Sequence, residues 1–240
     1  MARASEAAEK ASRAWRVLVP ETLARVEALW RTPELPGLEA QSATLLADWL
    51  EGHGFSIARK AHGLPTAFIA RKGHGNGPRI AILAEYDALP GLGNEVASDR
   101  RPTGQRAGHG CGHNHIGPIN CAAAIAAASL GLAGEVAVIG CPAEEILWGK
   151  VALLREGAFA GFDAILTSHG DYQNGALSRP CQAVVSTEFV FAGEAGHGGL
   201  QGPRNALAGA EAALNRIGAI AFAGSLKHVL RRAGTMPSIT

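Results

Sequence analysis

Apolar residues along this chain follow two different periods in turn. Positions 79–84 (Arg-Ile-Ala-Ile-Leu-Ala) and 136–141 (Val-Ala-Val-Ile-Gly-Cys) are short, nearly continuous apolar runs, the form taken by strands buried on both faces. Residues 163–168 are strand-like, and residues 56–59 and 65–71 read as further strands, with a polar turn over 72–78. Helical spacing separates them. Residues 5–30 can set Trp15, Leu18, Leu23, Val26 and Trp30 on one face, although Pro20 predicts a break into two helices. Residues 39–53 present Leu45, Leu46, Trp49 and Leu50, and Gly54 is placed to end that helix. The alanine-rich run over 121–134 reads as a buried helix packed on the sheet; it falls short of the ~20 residues that a membrane span needs. Residues 95–107 are charged and predict a strand-free surface loop.

Strands and helices in alternation predict an α/β fold: a mixed, mainly parallel sheet flanked by helices. The pattern changes near Pro180. Beyond it come a longer edge-like strand over 183–191, then His197 in a glycine-rich stretch, then a helix over 205–222. The expected division is residues 1–180 and residues 181–240.

Composition narrows the function classes. The chain has 240 residues, of which 47% are hydrophobic, and a net charge of +1, so it can bury a large core and has no electrostatic bias toward nucleic acid or an anionic membrane. Four cysteines without paired spacing indicate a reducing compartment rather than a disulfide framework. Charged residues such as Arg3, Glu6, Glu9, Lys10, Arg13 and Arg16 are unlike a signal segment, and a cytoplasmic location is expected.

The candidate chemistry lies where strands stop. The run Gly108-His109-Gly110-Cys111-Gly112-His113-Asn114-His115 concentrates one thiol and three imidazoles in a glycine-relaxed loop. Singly, a Cys-x-His there is ordinarily structural. In company it is different: the run at 79–84 delivers Glu85-Tyr86-Asp87, the run at 136–141 delivers Glu144 and Glu145, and the run at 163–168 delivers His169. In an open α/β sheet the ligand crevice lies beyond the carboxyl ends of the strands, so Asp87, Cys111, His113, Glu144, Glu145 and His169 are expected to share one edge. Thiol, imidazole and carboxylate donors suit zinc or a similar divalent ion, and tandem glutamates leave one carboxylate free to act on water. Taken alone, Glu144-Glu145 reads as charge at the start of a helix that runs to about Arg155.

These residues carry a resemblance. Glu85-Tyr86-Asp87-Ala88-Leu89-Pro90-Gly91-Leu92-Gly93, the run from Gly108 to Asn114, Gly140-Cys141-Pro142-Ala143-Glu144-Glu145, His169 and Ala195-Gly196-His197 resemble, in order, the motifs of the dinuclear metallopeptidase and amidohydrolase superfamily. That superfamily includes aminoacylases, glutamate carboxypeptidases and indoleacetyl-amino-acid hydrolases. The spellings Glu-Tyr-Asp-Ala-Leu-Pro and Gly-Cys-Gly-His-Asn are similar to the branch of aminobenzoyl-glutamate hydrolases and related dipeptidases, and the likeness runs over about residues 15–223. The resemblance implies a zinc-peptidase-like catalytic domain joined to the first half of an α+β lid that forms a homodimer. It implies Cys111, His113, Glu145 and His169 as metal ligands, Glu144 as general base and Asp87 as the residue that orients a ligand. It implies that His197 reaches the partner subunit's substrate and helps hold the carbonyl oxygen. His109 and His115 receive no ligand role.

The implied reaction is hydrolysis of an amide bond in an N-acyl amino acid or dipeptide, with aminobenzoyl-glutamate as first choice and two divalent ions, zinc or manganese, in the complete enzyme. A dipeptidase on β-alanyl or related dipeptides is the nearer alternative. A catalytically incomplete dimerisation or regulatory subunit is another, and a thiol amidase built on Cys111 and His113 is a third. The superfamily's last metal ligand, a histidine in a returning C-terminal segment, has no match here, so C-terminal truncation is expected.

Overall fold

The computed structural model describes residues 2–74, 76–176, 187–194 and 204–221. They belong to two compact units, Met1–Asn174 and Gly175–Thr240.

The first unit is built on a five-stranded sheet. Strands β1 (Ser56–Arg59), β2 (Phe68–His74), β3 (Arg79–Glu85), β6 (Gly134–Cys141) and β7 (Ala164–Leu166) lie in the order β1-β2-β6-β3-β7. The centre is parallel, β3 with both β6 and β7, while β1 and β2 add on antiparallel. A small ribbon pairs β4 (Leu89–Pro90) with β5 (Ala107–Gly108), so the predicted strand-free loop ends in a two-residue strand. Helices α1 (Ala2–Arg31), α2 (Ala40–Gly52) and α3 (His113–Ala128) accompany the sheet, and α4 (Gly149–Arg155) follows β6.

Alternation along the strands feeds two cores. Phe68, Ala70, Ile82, Ala84 and Val138 join Leu18, Leu29, Leu46, Leu50 and Ile125 of the helices in one. Ala67, Ile69, Ala81, Ala137, Ile139 and Cys141 join Leu153 and Ala158 in the other. Both faces are therefore apolar, as a strand covered on each side requires.

Four local expectations are corrected. Pro20 lies inside one continuous α1; an internal proline costs ~3 kcal/mol, but Ala14, Trp15 and Leu18 before it and Leu29 after it all pack into the same core. Within that helix Leu29 is buried while Leu23 is 59% exposed, because α1 turns a slightly different face inward. The chain after Cys141 makes turns, with Ala143 (φ 53°) and Leu147 (φ 56°) left-handed, and only at Gly149 becomes helical, so the paired glutamates precede the helix. Strand β2 starts later than predicted and continues to His74, where it pairs with Gly134.

In the second unit, α5 (Ala206–Ala221) matches the predicted helix, and the Asn205 side chain accepts the backbone N–H of Leu207 at 2.9 Å as its cap. Of the strand expected over 183–191, residues 187–191 carry no strand pairing, and residues 183–186 lie outside the described residues, as does His197.

Candidate metal centre

Parallel register brings the strand ends together. Glu85 is level with Cys141, so Asp87 and the turn holding Glu144 and Glu145 emerge side by side. From β7 the chain runs three residues further to His169, and there Ser168 donates to Asn120 Oδ1 at 2.7 Å while Asn120 donates to the Leu83 carbonyl at 2.7 Å. This chain of bonds ties the segment after β7 to α3 and β3. Cys111 and His113 come from the other side. Gly112, left-handed at φ 83°, is the residue from which α3 starts, so His113 is its first residue rather than part of a flexible loop. Only glycine adopts that φ without penalty.

His113 and Asp87 define the centre. Both side chains are buried, and Asp87 Oδ1 accepts the His113 Nδ1 proton at 2.8 Å. Asp87 Oδ2 accepts the backbone N–H of Glu145 at 2.9 Å, so one carboxylate fixes both the imidazole and the glutamate turn. With Nδ1 committed as donor, Nε2 presents its lone pair, which is how a histidine is oriented toward a metal. His169 is set in the same way, its Nδ1 facing the Gly170 carbonyl at 2.8 Å and its Nε2 lying 3.3 Å from Cys111 Sγ.

Around His113 Nε2 stand Glu85 Oε2 at 3.3 Å, Glu144 Oε2 at 3.8 Å and Glu145 Oε1 at 3.9 Å. Two triads have ligand atoms mutually within 4.8 Å: Cys111, His113 and His169, and Glu85, His113 and Glu144. His113 Nε2 and Glu145 Oε1 are buried and have no hydrogen-bond partner among the described residues. Leaving such atoms bare in the interior is costly unless a ligand takes them up. The residues present therefore fit a divalent cation: Cys111, His113 and His169 converge as soft and borderline donors, and the bare Glu145 Oε1, 3.9 Å from His113 Nε2, adds a hard oxygen.

The ionisation pattern has the same cause. Burial, with the negative charges of Glu145, Glu144 and Glu85, pushes the Cys111 thiol up to about 11. Burial raises Glu145 as well, against the pull of His113. Burial would lower His113, but the Asp87 hydrogen bond and the charges of Asp87, Glu85 and Glu145 prevail and raise it. Three carboxylates thus crowd the thiol and the imidazole, and a cation bound there would displace the protons that its ligands carry.

Two further residues belong to the site and were not singled out from sequence. Lys150, the second residue of α4, reaches Glu85 and lies 3.3 Å from Glu144 Oε1. Glu39 is fully buried; its Oε1 accepts the N–H of Gly37 at 2.6 Å and of Ala143 at 2.8 Å, and its Oε2 accepts the Thr66 hydroxyl at 2.8 Å. It pins the left-handed residue from which Glu144 projects. His109 is buried with its Nε2 3.2 Å from the Leu29 carbonyl, and His115 is exposed beside Asn114 at 3.1 Å; neither joins the cluster.

No family model matches the chain. Among curated proteins it is 41% identical over 175 residues to a subunit of the p-aminobenzoyl-glutamate hydrolase of Escherichia coli K12, covering 70% of this chain and 36% of that protein. It is 35% identical over 185 residues to the Xaa-Arg dipeptidase of Mus musculus, covering 71% and 39%. The chain thus spans well under half the length of these relatives. Among solved structures, a dinuclear metal-binding peptidase of the M20 family from Bacillus subtilis matches with a TM-score of 0.54 and 30% identity, over 65% of this chain and 44% of that one.

Proposed function

Since this chain belongs to the M20 family of dinuclear metal-binding peptidases, we propose that it carries the metal-binding part of an amidohydrolase that cleaves N-acyl amino acids or dipeptides. The single observation that carries the reading is the pair of bare, buried ligand atoms, His113 Nε2 and Glu145 Oε1, beside Cys111, His169 and Glu144. The name of the Escherichia coli relative makes aminobenzoyl-glutamate the first substrate to try, and that of the mouse relative a dipeptide.

Each residue then has a task. Cys111, His113, Glu145 and His169 would hold divalent ions, zinc or manganese, the thiol and imidazoles suiting zinc and the carboxylate manganese. When bound, such ions supply Lewis acidity toward the amide carbonyl and lower the pKa of water. Glu144 takes a proton from the attacking water and returns it to the departing amine, work typically worth ~10²- to 10⁴-fold in rate. Asp87 holds His113 and the Glu145 backbone in place and does not touch substrate. A thiol nucleophile is disfavoured, because a Cys111 pushed up to about 11 is scarcely ionised at neutral pH and the paired glutamates would have no role.

Residues 181–240 are read as part of a lid that pairs two copies of the chain, with His197 acting on the partner's substrate. Full-length His197→Ala and Glu144→Gln proteins, each inactive, should regain activity when mixed; no recovery after proven subunit exchange sinks that role. A cytoplasmic setting accords with the free thiols of Cys111, Cys121 and Cys141, and no described helix is long and apolar enough to cross a membrane. The proposed hydrolysis is tested by following aminobenzoyl-glutamate cleavage before and after chelation and on return of zinc or manganese. Loss and restoration are expected; activity indifferent to chelation would reject the metal role.

A further inference from the structure

Lys150 is the one cation that faces this cluster of carboxylates among the described residues. It stands there for a local reason. Gly149 begins α4 directly beneath the Pro142 carbonyl, so close that a Cβ at Gly149 would lie 1.6 Å from that oxygen. The first turn of the helix is thereby pressed against the turn that carries Glu144, and Lys150 follows. Its ammonium contacts the Glu85 carboxylate, only 7% exposed, and lies 3.3 Å from Glu144 Oε1. Burial works against a charged lysine, but Glu85 and Glu144 outweigh it and hold Lys150 protonated.

Glu85 and Glu144, with His113, form the second of the two triads with converging ligand atoms. Oxygens of both carboxylates lie within 3.8 Å of the bare His113 Nε2. Uncompensated, they would compete to bind any cation placed there. We infer that Lys150 is a positioning residue that clamps Glu85 to Glu144 and withholds both carboxylates from the metal, so that of the tandem glutamates only Glu145 serves as a ligand. The inference rests on the reading of Glu144 as the base, since a carboxylate bound to a cation is a weaker base.

The opposed consequences make this testable. In Lys150→Met the two carboxylates lose their cation, and a close unit charge in a partly buried site is worth a large factor in cation binding. The full chain should bind manganese or zinc ~10-fold or more tightly than the unaltered protein, read by competition with a chelator of known affinity, while cleavage of aminobenzoyl-glutamate falls. Lys150→Arg keeps the charge and should keep the original affinity. Adding Glu85→Gln to Lys150→Met restores the original net charge and should return affinity toward the starting value, which a folding defect would not do. Unchanged or weaker metal affinity in Lys150→Met, with the affinity of the unaltered chain measurable, overturns the clamp alone. If neither protein binds a cation, the clamp falls together with the metal reading.

Discussion

Asp87 engages two neighbours at once: one oxygen accepts from His113 and the other from the Glu145 backbone. Lys150 and Glu39 add a second constraint on the glutamate turn, from charge on one side and from backbone hydrogen bonds on the other. His109 shows how a histidine two residues from Cys111 is kept out of this set. Burial lowers it to about 4, against its bond to the Leu29 carbonyl. The unfolded histidine, near pH 6.5, binds a proton that the folded one refuses. Stability is therefore complete above about pH 6.5 and declines as pH falls toward 4, by ~3 kcal/mol in all. In His109→Gln, which does not titrate, that slope should be missing. Chemical denaturation of both proteins at pH 7 and pH 4.5 measures it; parallel losses would contradict a neutral buried His109.

At the scale of elements, the site depends on where three parallel strands stop, and this was readable from apolar runs ending in Asp87, Glu144 and His169. What the pattern did not reveal has physical causes. Lys150 reads as an ordinary solvent-facing helix residue until parallel register places Glu85 level with Cys141 and opposite it. Glu39 reads as a charge at a helix start; its partner Ala143 is 104 residues away and meets it only once the sheet forms. The break predicted at Pro20 was overruled by packing on both sides of the proline. The placing of Glu144 before the helix, rather than in it, follows from left-handed residues that no hydrophobic period records. Glu39 joins the approach to α2, the β2 entry through Thr66 and the glutamate turn. Glu39→Ala should lower stability by ~2–3 kcal/mol, since it strands the Ala143 N–H and the Thr66 hydroxyl in the interior, while the exposed Gly37 N–H can turn to water. Glu39→Gln should cost less. Equal, small losses in both would mean that the carboxylate's bonds are dispensable.

Over the whole molecule, the sheet and helices of the first unit assemble every residue proposed to hold metal, and they do so within Met1–Asn174. The relatives extend well beyond the matched region. The most direct measurement compares Glu144→Gln with Glu145→Gln, side by side, for bound zinc or manganese by elemental analysis and for aminobenzoyl-glutamate cleavage. With Glu144 as base and Glu145 as ligand, Glu144→Gln should retain its metal and lose ~10²-fold or more of its turnover, while Glu145→Gln should lose metal and turnover together. Equal metal loss in both variants, or full turnover in Glu144→Gln, would contradict the division of roles on which the proposed chemistry stands.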